Sequence, residues 1–130
     1  VGSEMCIREV YGDDGLDEIS ISSTTSVCEI DGDEIKGYTI NPEELGLTLA
    51  KKEDIVGGTA DENAIITKDI LTGKEQGAKR DIVLLNAGAA LYTIRKAETI
   101  KDGVKLAAEM IDSGKANEKL EQFIAYTNVK

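Results

Sequence analysis

The chain has 130 residues, a formal net charge of −10 and no histidine. That length suits one domain burying roughly two thirds of its unfolded surface, while the charge opposes phosphate backbones and the apolar runs stop well short of the ~20 residues of a membrane helix, so neither nucleic acid nor a membrane is an expected partner. The missing imidazole excludes Ser-His-Asp triads, Cys-His pairs and HExxH zinc sites, leaving carboxylates, lysines, arginines and the backbone to carry any chemistry.

Strand signals come first along the chain. A short strand at 7–11 runs into the acidic stretch GDDGLDEIS at 12–20. Two further strands, at 25–30 and 35–40, are joined by Asp31-Gly32-Asp33-Glu34. An Asp-Gly pair between alternating segments predicts a hairpin over 25–40, because glycine accepts the positive φ of a tight turn.

Helix starts dominate afterwards. Asn41 can cap, Pro42 suits a first helical position, and Glu43 and Glu44 favour the positive end of the helix dipole, so a short helix is expected to end near Gly46. Thr59 and Glu62 form a capping box before a helix carrying Ile65, Ile66, Ile70 and Leu71 that stops at Gly73. The run IVLLNAGAALYTI at 82–94 is apolar almost all round and rich in alanine, which predicts a buried helix. Thr99 with Asp102 caps a helix whose Ile100, Val104, Ala107, Ala108 and Ile111 share one face, and a last helix after Ser113-Gly114 shows Leu120, Phe123 and Ile124. The two cysteines, Cys6 and Cys28, lack CxxC spacing and read as reduced thiols in a cytoplasm.

The acidic stretch holds the candidate chemistry. A calcium loop counted from Asp13 puts Gly15 at the third position and Thr24 at the twelfth, where carboxylates are needed, so an EF-hand is excluded. Gly12 and Gly15 make the backbone a loop, in which the neighbouring Asp17 and Glu18 can share a cation. Magnesium is commonly held by one or two carboxylates, several waters and substrate phosphates. On the residues alone two readings stand: a magnesium site at Asp17 and Glu18, or a solvated acidic loop with Ser20 or Thr24 tying down backbone. Asp13 and Asp14 read as solvated in either case.

Taken in order, GDDGLDEIS, YTINPEELGL, VGGTADENAIITKDILTG, DIVLLNAGAALY and DGVKLAAEMIDSGKA resemble the C-terminal part of the anthranilate phosphoribosyltransferase family, from about Val10 onward. The resemblance implies an α/β fold, or α+β for this stretch in isolation: a few N-terminal strands, then a cluster of helices, together a single partial domain over 1–130 of a larger α/β domain. It implies transfer of a phosphoribosyl group from phosphoribosyl pyrophosphate to anthranilate in tryptophan biosynthesis, with Mg2+ held by Asp17 and Glu18. It also implies that the glycine-rich phosphate loop and the anthranilate-holding residues lie upstream, so no catalytic or substrate-binding residue is assigned here. A cytoplasmic homodimer joined through an N-terminal helical domain is the implied assembly.

Several positions refine that expectation. Where the family reads V-H-G, this chain has Val10-Tyr11-Gly12. Gly57, Gly58, Glu62, Asn63 and Ala64 match the family, but they are most simply backbone geometry and first-turn hydrogen bonding. Asn86 reads as a satisfied core amide. Residues 1–9 lack the helix expected before the first strand and read as an added or truncated segment. The alternatives are a related phosphoribosyltransferase or nucleoside-phosphorylase-like protein with another acceptor, and a non-catalytic binding domain with this fold.

Overall fold

A computed structural model describes residues 6–128. Of the segment 1–9, residues 1–5 and the side chain of Cys6 lie outside the described part, and 6–9 belong to the first strand. Strands β1 (Cys6–Gly12), β2 (Thr25–Asp31) and β3 (Glu34–Ile40) form an antiparallel sheet in the order β1-β2-β3. The expected hairpin at 25–40 is tighter than the four-residue link suggests: Asp31 pairs with Glu34, Gly32 and Asp33 make the turn, and Gly32 takes a φ of +61°. That left-handed value is the one glycine adopts without steric cost.

Period-two alternation gives the sheet two unlike faces. Val10, Val27, Tyr38 and Ile40 point into the core, as do the polar Arg8, Thr25 and Glu29. The opposite face carries Ile7, Ile30 and Ile35 as cross-strand neighbours, and Ile35 is 71% exposed.

Pro42–Leu45 forms a single 3₁₀ turn, capped by the Asn41 side chain, which accepts from the Glu43 N–H, and closed by Gly46 at φ +86°. A second 3₁₀ turn at Lys52–Ile55 escapes the sequence reading because it has no apolar period of its own. The four helices are α1 (Ala60–Leu71), α2 (Ala78–Thr93), α3 (Ile100–Asp112) and α4 (Lys115–Thr127). The capping box at α1 is present: Thr59 accepts from the Glu62 N–H, and the Glu62 carboxylate accepts from the Thr59 N–H at 2.7 Å. Thr99 caps α3 in the same way.

Helix α2 begins at Ala78, four residues before the apolar run, because the polar Ala78-Lys79-Arg80-Asp81 is recruited as its first turn. It is not buried all round. Leu84, Leu85, Gly88 and Ala89 are buried, whereas Val83 and Ile94 are exposed and line an open apolar groove with Leu71, Leu91 and Met110. Against α3 it packs at glycine contact distance: a Cβ on Gly88 would lie 2.5 Å from the Val104 nitrogen, and one on Gly103 would strike the Gly88 carbonyl. Val104, Ala107 and Ile111 of α3 are buried as their spacing predicts. The apolar side of α4 is not covered, with Phe123 63% and Ile124 43% exposed. Among the described residues no helix is long and apolar enough to cross a membrane, and Cys28 is a free thiol.

Candidate functional site: a pinned acidic loop

The connection from β1 to β2 carries the acidic stretch, and hydrogen bonds hold it at its base and along its length. Its first residues turn tightly: Gly15 N–H donates to the Gly12 carbonyl at 2.8 Å and Gly12 N–H to the Leu16 carbonyl at 2.9 Å, with Gly15 at φ +92°. A side chain on Gly12 would meet the Asp14 carboxylate at 2.9 Å, so the close approach there calls for glycine.

Both Asp13 and Asp14 are tied into hydrogen bonds; Asp13 stays exposed, as a solvated residue should, whereas Asp14 is half-buried, which corrects its reading as solvated. Asp13 N–H donates to the Thr24 carbonyl at 2.9 Å, closing the base of the loop, while its carboxylate accepts from Thr24 Oγ1 at 2.5 Å and Ser26 Oγ at 2.8 Å. Those two hydroxyls hold its pKa below the ordinary value. Asp14 is a hub: its carboxylate accepts from Ser20 Oγ at 2.8 Å, Ser22 Oγ at 2.5 Å and the Leu16 N–H at 3.3 Å. Partial burial works against its charge, but the Ser22, Ser20 and Leu16 hydrogen bonds and the charge of Lys52 outweigh it, and the pKa is lowered. Lys52 Nζ also donates to the Asp14 carbonyl, tying the second 3₁₀ turn to the loop. The legible signal was the hydroxyl-rich ISISSTTS directly after the acids, a set of donors within reach of carboxylates.

The far side of the loop is buried. Ile19, Ser20 and Ile21 are at most 2% exposed. Ser20 N–H donates to Thr25 Oγ1 at 3.0 Å, Ser22 N–H to Ser20 Oγ at 3.0 Å, and Ala50 N–H to the Ile21 carbonyl at 3.1 Å. Ser20 therefore ties down backbone as expected. Asn86, midway along α2, accepts from the Ile19 N–H at 3.1 Å and donates to the carbonyls of Ile19 at 2.9 Å and Ile82 at 3.0 Å. It is the satisfied amide its sequence context suggests, and it grips the loop backbone from the core side.

Asp17 and Glu18 stand apart from this network. Both are exposed, and among the described residues neither carboxylate takes part in a hydrogen bond or ion pair. They bridge two held residues, Leu16 before them and Ile19 after them. Among the described residues no three acidic or cysteine side chains converge on a metal position. A pair of adjacent oxygen donors open to solvent suits a hard, highly hydrated cation, which takes its remaining ligands from water and phosphate. Tyr11, at the strand end beside the loop, is 56% exposed and faces the open side of the sheet.

Gly58 and Asn63 are joined to each other at the start of α1. Asn63 accepts from the Gly58 N–H at 2.8 Å and donates to the Gly58 carbonyl at 3.1 Å, which fixes the approach to α1. Sequence reasoning misses a buried ion pair at the other end of the sheet. Arg8 donates to Glu29 from Nε at 3.0 Å and Nη2 at 2.8 Å, its guanidinium stacks 4.0 Å from the Tyr92 ring centroid, and Tyr38 OH donates to Glu29 at 3.0 Å. Burial raises the Glu29 pKa, but the Arg8 and Tyr38 hydrogen bonds win and hold it down; burial and the bond to Glu29 push Tyr38 up to about 12. Cross-strand pairing of Arg8 with Glu29 was readable only once the register was known.

The acidic connection thus joins two strands of an antiparallel sheet that is backed by helices. The chain belongs to the glycosyl transferase family, in its a/b domain, whose model matches residues 8–117. Its relatives carry the name anthranilate phosphoribosyltransferase: that of Methanobrevibacter smithii is 56% identical over 119 residues, covering 92% of this chain and 35% of the relative, and that of Desulfosudis oleivorans is 52% identical over 118 residues, covering 91% and 35%. Among solved structures, the anthranilate phosphoribosyltransferase of Thermus thermophilus superposes with a TM-score of 0.87 at 36% identity, covering 95% of this chain and 36% of that one. The Saccharomyces cerevisiae enzyme in complex with PRPP and Mg superposes with a TM-score of 0.83 at 32% identity, over 95% and 35%. The chain thus spans about a third of the length of the relatives it matches.

Proposed function

We propose that this chain supplies the magnesium-binding edge of an anthranilate phosphoribosyltransferase, with Asp17 and Glu18 as the metal's carboxylate ligands. The observation that carries the reading is the contrast within one loop: Asp13 and Asp14 spend their oxygens on Thr24, Ser26, Ser20 and Ser22, while Asp17 and Glu18 are held between pinned residues with their oxygens open. The yeast relative's complex with PRPP and Mg supports it.

In this reading the reaction joins the anthranilate amine to C1 of the ribose as pyrophosphate leaves. Magnesium, when bound, neutralises charge on the departing pyrophosphate. Asp17 and Glu18 would hold that cation's position, and the cation would offset the repulsion that a surface of net charge −10 presents to phosphates. The phosphate loop and acceptor site belong to other parts of the complete protein, so the isolated chain is expected to turn over no anthranilate. A cytoplasmic setting, a role in tryptophan biosynthesis and dimerisation through a helical domain outside this chain complete the proposal.

The test uses the full-length protein, with activity measured against magnesium concentration. Asp17→Asn and Glu18→Gln keep side-chain size and remove charge, and each is expected to raise the magnesium requirement while leaving the melting temperature nearly unchanged. Magnesium curves for these variants that overlay the unsubstituted protein would sink the assignment.

A further inference from the structure

The acidic pair is gripped from two sides, and neither grip involves the pair itself. On the core side the Asn86 amide takes both the N–H and the carbonyl of Ile19, the residue next to Glu18, at 3.1 and 2.9 Å. Since Asn86 also donates to the Ile82 carbonyl at 3.0 Å, its orientation is locked to the body of α2. On the solvent side the Asp14 carboxylate, held by Ser20 and Ser22, accepts from the N–H of Leu16, the residue next to Asp17. The two Asn86 bonds span 67 residues of sequence and set the loop against α2, while the Asp14–Ser22 bond braces the loop internally.

We infer that Asn86 and the Asp14–Ser22 pair are positioning residues that set the spacing and direction of the Asp17 and Glu18 carboxylates for a divalent cation. The inference rests on the reading of Asp17 and Glu18 as metal ligands. Groups that orient first-layer ligands without touching the metal typically change its affinity by about 10–100-fold when removed. Two flexible neighbouring acids on an untethered loop would sample many geometries, and holding both flanking residues removes that freedom before the metal arrives.

The experiment compares three neutral or charge-removing variants of the full-length protein: Asn86→Leu, which keeps size and loses every hydrogen bond of the amide; Ser22→Ala, which loosens Asp14 without altering charge; and Asp17→Asn. Two quantities are read. One is the dissociation constant for Mn2+ as a spectroscopic probe in the presence of phosphoribosyl pyrophosphate, by electron paramagnetic resonance. The other is kcat and the anthranilate KM at saturating magnesium. Asn86→Leu is expected to weaken Mn2+ by about tenfold and Ser22→Ala in the same direction by about threefold, with kcat at saturating magnesium and the anthranilate KM little changed. Loss of activity in equal proportion at every metal concentration, with unaltered Mn2+ affinity, is the signature of a merely structural role and overturns the inference. If Asn86→Leu does not fold, Ser22→Ala decides alone, and an unchanged Mn2+ constant there is equally fatal. When Asp17→Asn weakens Mn2+ and the other two do not, only the positioning role falls. An unaffected Asp17→Asn removes the metal-ligand reading and this inference with it.

Discussion

Asp14 and Asp17 are three positions apart and have opposite natures. Asp14→Asn takes the charged acceptor from both Ser20 and Ser22, which donate to the same carboxylate oxygen, and a charge-assisted bond of this kind is worth about 1.5–3 kcal/mol, so chemical denaturation should show a loss of at least that size. Asp17→Asn should stay within about 0.5 kcal/mol, as substitutions at exposed, unpartnered sites do. The Asp14 pKa is depressed in the folded protein, so its contribution is complete above the ordinary value of 3.8 and disappears as pH falls below it. At the other end of the sheet, Glu29→Gln would remove the carboxylate charge facing the Arg8 guanidinium, whose side chain is 8% exposed, at a cost of about 3 kcal/mol. That cluster also sets two pH limits. Glu29, held below its ordinary 4.5, withdraws stability as pH falls under that value, and Tyr38, raised from 10.0 to about 12, withdraws it as pH climbs through that interval. Unfolding midpoints measured from pH 3 to pH 11 should fall at both ends, and Tyr38→Phe should flatten the alkaline limb.

Between elements, the α2–α3 contact is the least forgiving. Gly103 sits against the Gly88 backbone with no room for a methyl group, so Gly103→Ala must push the helices apart. Overpacking of this kind costs about 1–3 kcal/mol or more. The same substitution at Gly37, on the open sheet face with space around it, should have little effect, and thermal unfolding of the two variants tests the contrast directly. Helix α1 depends on its start: Thr59→Ala removes the oxygen that accepts from the Glu62 N–H and should cost about 1 kcal/mol.

For the molecule as a whole, the open surfaces are apolar in the wrong places for an isolated body. The groove lined by Leu71, Val83, Leu91, Ile94 and Met110, the row Ile7–Ile30–Ile35 and the α4 residues Phe123, Ile124 and Tyr126 all face solvent. Exposed patches of this extent favour association, and among the described residues both outer edges of the three-stranded sheet offer unpaired backbone groups. Sedimentation of the 130-residue chain should show association or aggregation that grows with concentration. A monodisperse monomer across the range, or a tight symmetric dimer with a helical interface, would contradict this expectation.

What the amino-acid order determined by itself is local. The hairpin turn at Asp31-Gly32, the Asn41-Pro42 start, the capping residues Thr59 and Thr99, and the glycine stops at 46, 73 and 114 all act through bonds a few residues apart, and each lies where its local chemistry puts it. The adjacency of Asp17 and Glu18 is likewise given by the sequence alone. Only the folded loop decided which of the four acids are hydrogen-bonded, because Thr24 and Ser26 reach Asp13, and Ser20 and Ser22 reach Asp14, after the chain has turned back on itself. The tertiary structure likewise decided that Asn86 holds Ile19, that Arg8 meets Glu29, and that α2 is apolar on an open side as well as a buried one. The Asn86–Ile19 and Arg8–Glu29 contacts join loop to helix and strand to strand, and their partners are chosen by register and packing, which no window of neighbouring residues contains.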